Sequence, residues 1–105
     1  MSIPQISPDQ AQAMLQSNAA AVYLDVRTPE EFAQGHVPGA VNVPVAVAEP
    51  SGYRPCPDFV AECEVRFAKD TPIITGCLRG GRSIRAAGVL IAEGYTDVVD
   101  MRGGL

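Results

Sequence analysis

Apolar residues fall in two rhythms along this chain. Short, nearly continuous apolar runs occur at 21–26 ("AVYLDV"), 71–76 ("TPIITG") and 97–101 ("DVVDM"). Runs of that length suit strands buried on both faces of a sheet. Between them the spacing is helical. Ser7 stands before Pro8 and three residues ahead of Gln10, the pattern of a capping box. It predicts a helix to about Ser17 with Ala11, Met14 and Leu15 on one face. "TPEEF" repeats the device, with Thr28 as cap, Pro29 in the first turn and Glu31 three residues on; this short helix stops at Gly35. Asp58 is placed to cap a third helix that buries Phe59, Val60, Cys63 and Phe67. A fourth starts at Ser83, turns Ile84, Ala87, Gly88 and Ile91 inward, and stops at Gly94. Residues 3–6 form a short edge strand and 40–43 a brief strand. Residues 44–57 hold four prolines and one glycine and read as a loop.

Strands thus alternate with helices from end to end. The alternation predicts an α/β fold: a central, mostly parallel five-stranded sheet, right-handed crossovers, and helices on both faces. In such sheets the chemistry lies beyond the carboxyl ends of the strands. The length, 105 residues, is that of one domain spanning 1–105.

Composition narrows the function. A net charge of −4 and a pI near 4.7 argue against a nucleic-acid partner, which calls for a basic face. The apolar runs are too short to span a membrane, and the opening "MSIPQISPDQ" lacks the basic start and apolar core of a signal peptide. Three cysteines are an odd number and form no disulfide framework. Cys56 and Cys63 have no CxxC partner, which argues against zinc; they read as loop and helix-packing thiols. All three suit a reducing compartment, here the cytoplasm.

The third cysteine is different. Cys77 closes the run "PIIT" and opens "CLRGGRS". Taken alone it could be a small core residue. Four neighbouring features point to a nucleophile instead: the apolar strand before it, Gly80 and Gly81, Arg79 and Arg82, and the helix start near Ser83. A glycine-rich turn can aim successive N–H groups inward as an anion nest. The helix start adds free N–H groups and the positive end of its dipole. A free cysteine with a pKa of ~8.5 is only about 3% thiolate at neutral pH, and such a cradle raises that fraction with no separate base. His36, the single histidine, lies in another loop, so a Cys–His pair is poorly supported.

"CLRGGRS" resembles the active-site loop of the single-domain rhodanese-like sulfurtransferases. "LDVRTPEEFAQGHVPGAVNVP" at 24–44 and "EGYTDVVDMRGG" at 93–104 are similar to that family's other two signatures, in the same order. "PIITGCLRGGRS" and the preceding "CPDF" look most like the plant and cyanobacterial single-domain type. The resemblance implies a rhodanese-like domain in which Cys77 takes the sulfane sulfur of thiosulfate or a persulfide, carries it as a persulfide, and passes it to a thiophilic acceptor, a thiol or cyanide. It implies that Leu78, Arg79, Gly80, Gly81, Arg82 and Ser83 form the substrate-binding loop. Arg82 holds loop and anion, Arg79 faces the mouth, and no metal or organic cofactor enters. The partners are a small-molecule sulfur donor, a thiol acceptor and a sulfur-relay protein. Four residues separate Cys77 from Arg82; Cys-based phosphatases and arsenate reductases have five, so those activities are the lesser alternative. A non-catalytic module that binds a partner or carries sulfur is the alternative of another class. Many family members continue past "GG" with a helix bearing a Trp. This sequence has no Trp and stops at Leu105, which predicts a thin helical layer on one face.

The remaining signature residues read as structural. Asp25 is expected to accept hydrogen bonds at a backbone turn, and Arg27 to pair with Glu31 or another acid. His36, in "GHVPGA", is expected to lock a turn. Met101 belongs to the core, and Arg102, Gly103 and Gly104 to a terminal turn.

Overall fold

The computed structural model describes residues 3–77 and 81–102. Ser7 accepts a hydrogen bond from the Gln10 N–H while the Gln10 side chain accepts from the Ser7 N–H, and helix α1 (Pro8–Ser17) follows. Strand β1 (Gln5–Ile6) precedes it and β2 (Val22–Asp25) comes next. Thr28 and Glu31 make the same reciprocal cap at the start of α2 (Pro29–Gln34), which ends at Gly35. Then come β3 (Val41–Asn42), β4 (Ala46–Glu49), β5 (Gly52–Pro55), α3 (Phe59–Arg66), β6 (Ile73–Gly76), α4 (Gly81–Ala92) and β7 (Val98–Met101).

Five strands form one parallel sheet in the order β1-β7-β6-β2-β3. β6 is central, paired to β2 on one side and β7 on the other. Side chains alternate across the sheet, as the pleat requires. Leu24, Ile73 and Val98 face α3 and α4, meeting Phe59, Cys63, Ala86, Ala87 and Leu90. Tyr23, Ile74 and Met101 face the other way, against Ala11, Met14 and Leu15 of α1. Helices therefore cover both faces, and the expected α/β architecture holds. Beside α1 a groove of about 650 Å³ opens, floored by Tyr23 and Met101 and walled by Leu15 and Val37. Among the described residues no helix is long and apolar enough to cross a membrane.

Four expectations need correction. Residues 44–57 are not a plain loop: β4 and β5 form an antiparallel hairpin. Its prolines fit because Pro50 lies in the turn and Pro55 ends an outer strand, where no ladder donor is missed. Gly52 makes the turn at φ +128°, and Arg54 pairs with Glu49 across the hairpin. Asp58 precedes α3 but forms no side-chain cap, because its backbone (φ −91°, ψ 1°) is not extended as a capping residue's is. The inner face of α4 is Ser83, Ala86, Ala87 and Leu90. The stripe is set one residue earlier than predicted, and Ile84 lies exposed. A polar residue belongs to the buried stripe here, which apolar spacing does not register. The helix is also already formed at Gly81, ahead of the predicted start.

Candidate active site

β6 ends at Gly76, and Cys77 is the next residue, buried at the carboxyl end of the central strand. The backbone N–H of Ser83 donates to Cys77 Sγ at 3.4 Å, and Ser83 Oγ lies 3.4 Å from the same sulfur. Ser83 is itself fully buried on α4. The sulfur therefore sits between a strand end and the first turn of a helix whose dipole points its positive end that way. Of the predicted binding loop, Leu78, Arg79 and Gly80 lie outside the described residues; Gly81, Arg82 and Ser83 are the opening residues of α4.

Arg82 is held from two sides. Its Nη1 and Nη2 donate to the two carboxylate oxygens of Glu31 at 2.7 and 3.0 Å. Its guanidinium carbon lies 4.4 Å from the centre of the Tyr53 ring on the hairpin. The Glu31 bond raises the Arg82 pKa, and Arg82 in turn holds the Glu31 carboxyl at about 2. Glu31 also accepts from Thr28 N and Oγ1 at 3.1 and 3.0 Å, so the helix cap and the site share one carboxylate. Sequence reasoning gave Glu31 a capping role and Tyr53 none. Nothing in local spacing ties either to Arg82, and reading 44–57 as loop hid the hairpin that carries the ring.

Asp25 and Arg27 are structural partners, as expected of a buried carboxylate. Arg27 donates from Nε and Nη2 to Asp25, with Nη2 at 2.8 Å from Oδ2, and from Nη2 to the Gly35 carbonyl at 2.7 Å. The acid that Arg27 pairs with is Asp25, while Glu31 goes to Arg82. The Asp25 hydrogen bond raises the Arg27 pKa. Asn42 Nδ2 donates to the carbonyls of Asp25 and Arg27, both at 2.9 Å, and fixes the loop after β2. His36 stacks on Phe32 with ring centres 3.6 Å apart, and its Nδ1 bonds the Phe32 carbonyl at 2.7 Å. That is the turn-locking role its setting predicts. Met101 is buried in the α1-side core, Arg102 lies in a turn after β7, and Gly103 and Gly104 lie outside the described residues.

The other thiols have different settings. Cys63 is fully buried on the inner face of α3, and burial pushes its pKa up to about 12, which makes it inert. Cys56 is half-buried just after the hairpin, where its N–H donates to the Val45 carbonyl at 2.9 Å. Among the described residues no group of three or more His, Cys, Asp or Glu could hold a metal ion.

Comparison with known proteins agrees with this layout. The model of the rhodanese-like domain matches residues 7–105. Thiosulfate sulfurtransferase 16, chloroplastic, of Arabidopsis thaliana is 50% identical over 82 residues, covering 78% of this chain and 68% of the relative. The thiosulfate sulfurtransferase GlpE of Stutzerimonas stutzeri is 35% identical over 99 residues, covering 94% and 78%. Three further plant relatives, 41–44% identical, are longer, and the chain spans only 45–48% of their length. Among solved structures, the human single-domain sulfurtransferase TSTD1 superposes with a TM-score of 0.74 at 27% identity, covering 99% of this chain and 93% of that one.

Proposed function

Because the chain belongs to the rhodanese-like domain family, we propose that residues 1–105 act as one sulfurtransferase domain that works through a persulfide on Cys77. One observation carries the assignment to Cys77: its sulfur is buried at the end of the central strand and receives the Ser83 N–H at the start of α4. Cys56 and Cys63 have no such setting. The Cys77 thiolate attacks the outer sulfur of thiosulfate. A new S–S bond forms on Cys77, the S–S bond of thiosulfate breaks, and sulfite leaves with the bonding pair. An acceptor thiolate or cyanide then attacks the outer sulfur of the persulfide, and Cys77 departs as thiolate. No net oxidant, reductant or proton is needed, and no metal or cofactor takes part. Leu78 to Ser83 cradle the transferred sulfur, and the four-residue spacing to Arg82 suits one sulfur atom rather than a tetrahedral oxyanion. The donor is a small molecule, and the acceptor is a cellular thiol or a sulfur-relay protein. A reducing compartment such as the cytoplasm keeps the three cysteines as thiols.

The test is an intact mass taken after exposure to thiosulfate and removal of excess donor. One added sulfur atom on the wild-type protein and none on Cys77→Ser is the expected result. An adduct that survives in Cys77→Ser, or none on the wild type with any sulfane donor, overturns the reading and leaves the non-catalytic module.

A further inference from the structure

We propose that Tyr53, on the β4–β5 hairpin, is a positioning residue for sulfur transfer, bracing the face of the Arg82 guanidinium whose nitrogens Glu31 holds. The inference rests on the reading of Cys77 as the sulfur carrier. Arg82 precedes Ser83, whose N–H meets the Cys77 sulfur, so whatever fixes Arg82 also fixes that donor. Two elements far away in sequence do the fixing. Glu31 of α2, 51 residues distant, occupies both terminal nitrogens of the guanidinium. Tyr53 covers its face at 4.4 Å, within the range at which an aromatic ring attracts a cation. Core packing does not account for the ring. Tyr53 is 53% exposed, a large aromatic left half in water on an otherwise exposed strand.

The hairpin hangs from the site by buried residues. Val45 N–H donates to the Val26 carbonyl at 3.2 Å, and Val45 and Ala46 are buried in the same core as Cys77. The hairpin is therefore anchored at its base and free to present Tyr53 at its outer strand. With Glu31 on its nitrogens and Tyr53 on its face, Arg82 is a fixed brace in the first turn of α4.

The experiment compares wild type, Tyr53→Phe and Tyr53→Leu. The rate of persulfide formation on Cys77 from thiosulfate is followed by mass, with melting temperature as control. Phe keeps the ring, so its rate should stay within about twofold of wild type. Leu keeps apolar bulk without the π face, and its rate should fall by roughly three- to fivefold at unchanged melting temperature. In parallel, the side-chain proton resonances of Arg82 should show the upfield ring-current shift in wild type and Phe, and lose it in Leu. A wild-type protein that loads sulfur, with Leu as fast as Phe, overturns the role of Tyr53 while leaving Cys77 in place. A ring-current shift unchanged in Leu overturns the contact itself. A wild-type protein that never loads sulfur brings down the function, and this role with it.

Discussion

Gly76 is the residue that lets the central strand reach Cys77. A Cβ there would lie 1.9 Å from Tyr23 Oη and 2.4 Å from Cζ, so even alanine demands that the ring move. Gly76→Ala should cost about 1–3 kcal/mol in urea unfolding, and Tyr23→Leu in the same chain should recover part of the loss. Tyr23 Oη is itself buried with no hydrogen-bond partner among the described residues. Burial, and then the Asp25 charge, raises its pKa. Removing the orphan hydroxyl by Tyr23→Phe should leave stability unchanged or raise it by up to about 1 kcal/mol; a loss beyond that would show an unseen partner. Glu31 carries a pH signature. Its folded pKa, about 2, lies below its ordinary 4.5. The ion pair with Arg82 thus stabilises fully above 4.5, and that contribution disappears as pH falls from 4.5 toward 2. Wild type should lose more stability across that window than Glu31→Gln, as read from urea midpoints; parallel losses would mean the pair contributes nothing. Asp25 and His36 were legible in the sequence, as was the place of Cys77 at a strand end, because each sits in a local pattern with one physical meaning. Glu31's second role, and those of Tyr23 and Tyr53, depend on contacts across elements and leave no such mark.

The helix caps show how far local pattern carries. Ser7 and Thr28 stand in extended backbone, as capping side chains must, and both make the predicted reciprocal bonds. Asp58 has the right type at the right place and makes none. Thr28→Ala should accordingly cost about 1 kcal/mol and Asp58→Ala close to nothing in the same unfolding assay. Thr28→Ala should also slow sulfur uptake, since Thr28 supports the carboxylate that braces Arg82. The hairpin was illegible for a composition reason: four prolines in fourteen residues read as irregular chain, and only the pairing shows that Pro50 and Pro55 avoid its inner ladder. The shifted face of α4 has a similar origin. Ile84 and Ile91 are the more apolar choice, yet the inward stripe is fixed by Ser83, which turns toward sulfur.

The order β1-β7-β6-β2-β3 places the strand leading to Cys77 where two neighbours hold it. Amides of Ile74 and Leu24, both fully buried, should exchange with solvent only on global unfolding, whereas those of Gly52, Tyr53 and Arg54 should exchange far sooner. Equal protection in hairpin and centre would contradict this hierarchy. The overall layering was the most legible feature, since alternation of apolar runs with capped helices admits few arrangements. The central place of β6 has a chemical consequence as well. A thiol is a target for peroxide, and local opening of the chain is one way an oxidant reaches it. Here the strand that delivers the sulfur is among the last to open. Local opening of that strand is therefore a poor route for an oxidant to the sulfur held at its end.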